Sequence, residues 1–273
     1  MNKIDKSCKI CDGKLFLKFF FNKKPRGETN FYINKNIYYR ETYQCSNCKH
    51  FYSFHKINLK NIYKNKYIKD TYGNSIEKKF LKIINLKYKE SDNKKRCRRI
   101  INFLNFHFVN KKNINILDIG SGLGVFPYIM KTKCFDITAL DPDTQCCQLM
   151  KKYKIKNINL EFKMGALSRK FNLITLNKVL EHFKNPKILI KNIRSNLKKN
   201  HLIYIEVPDG EKASKVNKNR EEFFIEHWHC FSKKSLKIFL DTIGLEILKI
   251  DSIQEPSSKY TLFAFAKFKN KYK

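Results

Sequence analysis

Short apolar runs alternate with amphipathic stretches through residues 113–273. The run 114–119 is rich in β-branched residues, too short for a helix and followed by glycines, which is typical of a buried parallel strand. The predicted strands cover residues 113–119, 135–141, 158–162, 171–177, 201–207, 245–250 and 260–268. The predicted helices cover residues 144–153, 186–197 and 232–244, and another begins at Val125. This order predicts an α/β fold with a doubly wound, mostly parallel, seven-stranded sheet. The last two strands have no helix between them, so one strand is predicted to be antiparallel.

Two further helices are predicted before this domain. Residues 75–84 carry apolar side chains at helical spacing, after a predicted break at 70–75. A capped amphipathic helix is predicted for residues 94–108, preceded by Ser91-Asp92-Asn93. The run 94–99 of this helix is the most basic in the chain, and we expect it to form a solvated face.

The N-terminal segment contains two C-x-x-C pairs. Their four cysteines are Cys8, Cys11, Cys45 and Cys48. Thiolates at this spacing can surround Zn²⁺ as a tetrahedron, and four sulfurs leave no open position, so the predicted zinc is structural. Strand-like runs at 15–21 and 30–39, with a turn at 24–27, predict a small zinc ribbon. Redox-active dithiols are the alternative. His50 and His55 are expected to be ordinary surface side chains.

A glycine loop follows the first strand of the large domain. Gly120, Gly122 and Gly124 occur at alternate positions and lead into a helix N-terminus, so bare backbone and amide donors meet at one place. The spacing differs from the dinucleotide pattern G-x-G-x-x-G, and the chain has no P-loop. Asp118 precedes the loop and Asp141 ends the next strand. The pattern predicts a nucleotide-type cleft at the carboxyl ends of the strands.

Residues 117–124 and the later Asp141 resemble the cofactor motifs of the class I S-adenosylmethionine-dependent methyltransferases. The resemblance implies a Rossmann-like fold, S-adenosylmethionine as cofactor, and a carboxylate at Asp141 that accepts both ribose hydroxyls. The implied cofactor-binding residues are Asp118, Gly120, Ser121, Gly122, Gly124, Asp141 and Asn177. The family often has an aspartate after the third strand to hold the adenine amine. Residues 164–167 lack one, so backbone contacts are expected there.

Two later segments also resemble this family. Asn177-Lys-Val-Leu-Glu181-His182 matches its motif after the fourth strand, which implies that Glu181 and His182 form the substrate wall, with His229. The alternative for Glu181 and His182 is that they cap the start of a helix. Glu226-His227 is similar to the Glu-His of nucleotide-sugar C-methyltransferases, which also carry an N-terminal four-cysteine zinc module. That likeness implies that His227 is the general base and that Glu226 orients it.

Several differences and alternatives qualify this likeness. Phe224 replaces the tyrosine of the related motif, and we do not expect the extra C-terminal domain of that family in residues 1–273. For His227 and His229 the alternatives are packing beside Trp228 or zinc ligation.

Composition changes this interpretation little. The formal charge of +33 suggests a polyanion partner. However, Lys, Asn, Ile, Phe and Tyr are abundant throughout the 273 residues, as expected from an A/T-rich coding sequence. No stretch has the length of a membrane span, no signal peptide is recognisable, and a cytoplasmic location is expected. The sequence does not indicate an oligomeric state.

The predicted organisation is a zinc ribbon at 1–55, a helical connector and substrate cap at 56–112, and a methyltransferase domain at 113–273. The predicted function is methyl transfer from S-adenosylmethionine to a small-molecule acceptor, such as a nucleotide-linked sugar of surface-polysaccharide or secondary metabolism. One alternative is RNA methylation, in which the positive charge and the ribbon would bind the RNA. The other is a non-catalytic scaffold.

Overall fold

A computed structural model of the chain describes residues 7–29, 38–57, 75–108, 114–165 and 167–269. The strands are β1 (Leu15–Phe21), β2 (Arg40–Cys45), β3 (Phe51–Phe54), β4 (Asn115–Ile119), β5 (Asp136–Asp141), β6 (Asn157–Asn159), β7 (Phe171–Asn177), β8 (Leu197–Pro208), β9 (His229–Cys230), β10 (Leu245–Gln254) and β11 (Tyr260–Phe268). The helices are α1 (Ile76–Asn85), α2 (Asp92–His107), α3 (Val125–Thr132), α4 (Thr144–Lys152), α5 (Pro186–Ile193), α6 (Gly210–Ser214) and α7 (Lys233–Thr242).

The larger sheet has seven strands in the order β10-β11-β8-β7-β4-β5-β6. The five strands from β6 to β8 are parallel, whereas β11 runs antiparallel to both of its neighbours. The order therefore reverses between β4 and β7, which is where a doubly wound sheet opens a ligand crevice. The predicted fold class is confirmed, including the single antiparallel strand.

Several predicted boundaries in the large domain were wrong, and β8 begins at Leu197 rather than 201 while β10 ends at Gln254 rather than 250. β6 ends at Asn159. Phe162, predicted to close this strand, is instead buried in an apolar cluster with residues of the central strands and of α5 and α7. α5 ends at Ile193, and a short 3₁₀ turn leads into β8 at Leu197 because Phe171 and Leu197 pair across the two strands. In the ribbon the second strand begins at Arg40; residues 30–37 of the predicted strand lie outside the described residues.

Helices α1 and α2 pack in the same apolar core as helices α3 and α4 of the large domain. Phe80 of α1 and Ile100 and Leu104 of α2 are fully buried in one cluster with Met130 of α3. Ser91 caps α2 as predicted, since its side chain accepts a hydrogen bond from the backbone of Lys94. The proposed break at 70–75 lies almost entirely outside the described residues, and the division into three segments stays a prediction.

The basic run on α2 is only partly solvated, contrary to the sequence-based expectation. Arg96 is buried and makes a two-pronged ion pair with the fully buried carboxylate of Glu206 on β8. Arg99 adds a second ion pair to this carboxylate at 3.2 Å and donates to the Tyr204 hydroxyl at 3.0 Å. Burial opposes ionisation, but the guanidinium of Arg96 holds the pKa of Glu206 well below its usual range. This network attaches α2 to the central sheet.

The smaller sheet joins the ribbon to the large domain. It is antiparallel, in the order β1-β2-β3-β9, and its fourth strand comes from the region just before α7. Phe51 pairs with Cys230, and Tyr52 pairs with His229. The ribbon is therefore hydrogen-bonded into the remainder of the molecule. Among the described helices, none combines the length and the apolar character that crossing a membrane requires.

Candidate active site

The loop after β4 is held against the end of β5. The carbonyl of Leu140 accepts hydrogen bonds from the amides of Gly120 at 2.8 Å and Ser121 at 3.2 Å. The carboxylate of Asp141 accepts one from the amide of Gly122 at 2.7 Å and one from Asp143 at 2.9 Å. The predicted glycine loop and the predicted acidic residue are thus in direct contact at the carboxyl edge of the sheet.

Two of the loop glycines have distinct roles. Gly124 caps α3 with φ of 74°, and a side chain on it would come within 2.5 Å of Met150. Gly122 also has positive φ, at 52°, but a side chain there would meet nothing within 4 Å. Gly124 is therefore required by packing, whereas Gly122 borders open space beside Asp141. A ligand can approach bare backbone at that point.

Asp118 is a buried anchor at the end of β4. Its Oδ1 accepts hydrogen bonds from Thr175 at 2.6 Å and from the side-chain amide of Asn177 at 2.7 Å. Burial raises the pKa of Asp118 to about 6. The carbonyl oxygen of the Asn177 side chain is buried and has no hydrogen-bond partner among the described residues. Asp118 therefore orients Asn177 and leaves a hydrogen-bond acceptor beside the loop.

A second group of polar residues lies at the end of β7. Glu181 and His182 lie in a 3₁₀ turn after this strand, and His227 lies just before β9. One side-chain nitrogen or oxygen from each of the three lies within 4.8 Å of the others. The amide of Trp228 donates to the carbonyl of Glu181 at 2.8 Å, which joins the two segments. These predicted residues, separated by more than forty positions, do come together.

Backbone carbonyls fix both imidazoles of this group. His182 Nδ1 lies 3.2 Å from the carbonyl of Glu226, and His227 Nδ1 lies 3.0 Å from the carbonyl of Glu222. Because a carbonyl can only accept, both Nδ1 atoms carry hydrogen and each neutral ring has its lone pair on Nε2. Burial lowers the pKa of His182 to about 4, and burial also holds the pKa of His227 well below its usual range.

Two neighbouring carboxyls are buried with at least one oxygen each that has no hydrogen-bond partner among the described residues. No described residue hydrogen-bonds to either oxygen of the Glu181 side chain, and burial raises its pKa to about 8. Glu226 is also buried, with its pKa raised to about 7 by the same cause. The contact that orients the His227 ring comes from the Glu222 carbonyl. Sequence reasoning missed Glu222 because every residue has a backbone carbonyl, so no sequence signal marks this one.

His229 lies apart from that group, in the junction between the two sheets. Its Nδ1 is 3.0 Å from Nε2 of His50, and its Nε2 is 3.2 Å from the carbonyl of Lys184. His50 is fully buried and also contacts the hydroxyl of Ser235 at 3.3 Å. The expectation of a surface His50 was wrong, because its ring packs inward against His229 and Phe231. His55 is half-buried, stacked on Trp228 at 4.2 Å, and is not an ordinary surface side chain either.

The four N-terminal cysteines converge. Cys8 and Cys48 have sulfurs 3.6 Å apart, and those of Cys11 and Cys45 are 3.5 Å apart. Tetrahedral Zn²⁺ with bonds of about 2.3 Å requires sulfurs about 3.8 Å apart, so the set fits one ion after a small adjustment. Asp12 and Lys49 adopt positive φ after the two pairs, and their amides return to the carbonyls of Cys8 and Cys45. The two knuckles therefore have matching backbone turns.

Comparison with known proteins agrees with this geometry. A family model described as a methyltransferase domain matches residues 89–250, more than half of the chain. No curated protein sequence matches the chain. The solved structure of magnesium protoporphyrin IX methyltransferase from Synechocystis PCC 6803 is similar, with 13% identity, a TM-score of 0.54, and coverage of 74% of this chain and 99% of that one.

Two more solved structures share the fold. The glycopeptide N-methyltransferase MtfA is 11% identical, with a TM-score of 0.52 and coverage of 65% of this chain and 91% of its own. The 1,6-didemethyltoxoflavin-N1-methyltransferase of Burkholderia thailandensis is 14% identical, with a TM-score of 0.51 and coverage of 66% and 80%. The chain therefore belongs to the methyltransferase domain family, and its sheet is that of the class I S-adenosylmethionine-dependent methyltransferases.

Proposed function

We propose that this chain binds S-adenosylmethionine at the loop between β4 and α3 and transfers the methyl group to a small-molecule acceptor. The observation that carries the proposal is the carboxylate of Asp141 beside the bare backbone of Gly122, in a chain that belongs to a methyltransferase family. Ionised Asp141 would accept the ribose hydroxyls. The unpartnered oxygen of Asn177, held by Asp118, would accept from the cofactor's ammonium group. The residues present therefore fit the cofactor.

When bound, this cofactor supplies a methyl group already activated on a sulfonium. The chain's own part is to hold an acceptor atom in line with that methyl and to exclude competing groups. Glu181, His182 and His227 lie at the end of β7, next to β4, and we place the acceptor there. The sequence-based role of His227 as general base, with Glu226 beside it, stays a prediction. If it holds, Nε2 of His227 is the atom that takes the proton.

The acceptor is proposed to be small, with a nucleotide-linked sugar as the most specific candidate. The similar structures are named for a glycopeptide, 1,6-didemethyltoxoflavin and magnesium protoporphyrin IX, none of which is a nucleic acid. The test is incubation with methyl-labelled S-adenosylmethionine and a panel of nucleotide-linked sugars or of RNA. Label transfer to RNA alone would contradict the proposed acceptor class.

We also propose that the four N-terminal cysteines hold a structural Zn²⁺. The support is the packing of the sulfurs around one point, and the close approach that a side chain at position 13 would make to Cys45, at 2.8 Å. With four thiolates, the ion has no position open for substrate.

The decisive experiment for the cofactor uses two aspartates on the same strand. Asp141 ends β5 at the proposed cofactor, whereas Asp136 begins it and makes ion pairs at the surface. We expect Asp141→Asn to weaken S-adenosylhomocysteine binding at least about ten-fold, since a charged hydrogen-bond acceptor is worth about 1.5–3 kcal/mol. Asp136→Asn should bind as the wild type does. Calorimetry measures both affinities. Absence of binding by the wild type, or equal binding by Asp141→Asn, would contradict the proposal.

A further inference from the structure

The three side chains at the end of β7 have the features of a metal site. They offer two imidazole nitrogens and one carboxylate oxygen, all within 4.8 Å of one another. Ligands bound at about 2.1 Å to one ion lie roughly 3–4 Å apart, so a small contraction would bring all three onto one centre. No described residue hydrogen-bonds to the Glu181 carboxylate. The two histidines therefore lie near this carboxylate without donating a hydrogen bond to it.

The backbone around these ligands is already arranged for coordination. Metal-binding histidines usually donate the hydrogen of their other ring nitrogen to a carbonyl or carboxylate, which fixes the ring and directs the second nitrogen at the ion. His182 and His227 both have this arrangement, through the carbonyls of Glu226 and Glu222. The bond from the Trp228 amide to the Glu181 carbonyl holds the two contributing segments in register.

Charge also favours a cation here. Glu181 is fully buried, and a buried carboxylate needs a compensating charge or hydrogen-bond donors. Lys178 is the nearby cation, and its ammonium group already donates to the hydroxyl of Thr261 at 2.7 Å. A divalent ion bound among these three side chains would supply that charge.

We propose that Glu181, His182 and His227 bind a divalent first-row transition metal. Two imidazoles and one carboxylate suit ions such as Mn²⁺, Fe²⁺, Co²⁺ and Zn²⁺ better than Mg²⁺ or Ca²⁺. Three protein ligands leave coordination positions open. In a role that rests on the proposed function, those positions would hold a hydroxyl or carboxylate oxygen of the acceptor beside the cofactor. Ligation and general-base action by His227 exclude each other, because each uses the Nε2 lone pair.

Manganese is the probe that separates this site from the ribbon. Four thiolates favour Zn²⁺, whereas Mn²⁺ prefers oxygen and nitrogen ligands. The full chain first receives one equivalent of Zn²⁺, which the four thiolates bind in preference, and unbound Zn²⁺ is removed. Mn²⁺ is then titrated in, and the free-ion signal is followed by electron paramagnetic resonance. We expect one bound Mn²⁺ per chain, with spin-echo modulation from imidazole nitrogen. That modulation reports direct ligation, which a merely structural role would not produce.

Substitutions test the assignment. Glu181→Gln, which preserves shape, and His227→Ala should each weaken Mn²⁺ binding at least about ten-fold, and His227→Ala should reduce the nitrogen modulation. His107→Ala is the matched control: Nδ1 of His107 is also held by a carbonyl, that of Phe103, but the residue lies outside the group. A wild type that binds no Mn²⁺ at millimolar concentration, or variants that bind it unchanged, would overturn the proposal. S-adenosylhomocysteine binding, measured on the same samples, reports folding and tests the cofactor proposal separately.

Discussion

Two buried aspartates at the ends of neighbouring strands differ in function because their neighbours differ. Asp118 receives hydrogen bonds from Thr175 and Asn177 and so fixes a side chain. Asp141 receives them from the backbone of Gly122 and Asp143, beside open space, and so faces a ligand. Burial raises the pKa of both to about 6. Each therefore destabilises the folded state when it ionises.

The variant Asp118→Asn tests whether ionisation of Asp118 lowers the stability of the folded state, because that stability then depends on pH. The pKa of Asp118 rises from 3.8 to about 6 on folding, so the folded state holds the proton more tightly than the unfolded state. Wild-type stability should fall as the pH rises from about 4 to about 6, and the variant should lack this component. The free energy of unfolding of the variant, relative to wild type, is therefore expected to grow over this window and then level off. Urea unfolding at a series of pH values measures it.

Asp136→Asn is the control for this measurement. Hydrogen bonding to Lys156, with Arg169 beside it, lowers the pKa of Asp136 to about 2, so its contribution changes mainly below pH 4. A difference for Asp118→Asn that stays level between pH 4 and 6 would contradict the explanation.

At the scale of elements, α2 is attached to the central sheet by an ion pair as well as by apolar packing. Arg96 meets the buried Glu206 of β8, whereas Arg98, two positions later, is exposed over the ring of Tyr88. The same short basic run therefore contains a buried structural arginine and a solvated one. Helical periodicity separates them, because two positions along a helix turn a side chain to a different face.

Arg96→Met should be strongly destabilising, by about 3 kcal/mol, because it leaves the charge of Glu206 buried without its main partner. Arg98→Met should change the free energy of unfolding by less than about 0.5 kcal/mol, as expected for an exposed position. Chemical unfolding of both variants measures these values. Equal losses in the two variants would show that the buried pair contributes no more than an exposed charge.

The pairing of β3 with β9 links the cysteine site to the segment that carries His227. The amide of Ser53 donates to the carbonyl of Trp228 at 3.0 Å, directly beside that histidine. Folding of so small a ribbon depends on its metal, since its own core is too small. Loss of the proposed Zn²⁺ should therefore also disturb the end of the ribbon that borders the proposed acceptor site.

Trp228, the single tryptophan of the chain, provides the measurement. It stacks on His55, so removal of Zn²⁺ by a chelator should change the intensity and wavelength of its fluorescence. Cys45→Ser should show the altered spectrum from the start, and Cys134→Ser, at an exposed cysteine outside the cluster, should match wild type. An unchanged spectrum after the metal has been shown to leave would contradict the coupling.

At the scale of the whole molecule, the basic residues that give the charge of +33 are distributed along the whole sequence, and some of the described ones are buried. Arg40 and Arg96 are both buried, and Arg40 lies 3.5 Å from the buried carboxylate of Glu28. The remaining basic residues come from most elements of the fold. A dispersed charge of this kind produces weak, salt-sensitive attraction to polyanions without a defined site.

Binding to RNA should therefore be weak and non-specific. Fluorescence anisotropy with labelled single strands of different sequence should show similar affinities that fall by more than about ten-fold between 50 and 200 mM salt. Submicromolar binding at the higher salt concentration, or clear preference for one sequence, would favour the RNA methyltransferase alternative.

The sequence by itself determined the large sheet, the glycine loop and the cysteine set. β1, β7 and β11 begin and end where predicted, and the contact between Gly122 and Asp141 follows from adjacent parallel strands. These features arise from short-range patterns, such as hydrophobic periodicity, glycine at turns and fixed cysteine spacing, which are visible in one stretch of chain.

Only the tertiary structure decided the pairing of β3 with β9, the burial of His50 and Arg96, and the meeting of Glu181 and His182 with His227. Each depends on residues far apart in the chain that lie close together only after the sheets form. The backbone carbonyls that hold the two imidazoles are the clearest case. A carbonyl is present at every position. Which histidine a given carbonyl contacts therefore depends on the folded chain and not on the side-chain pattern.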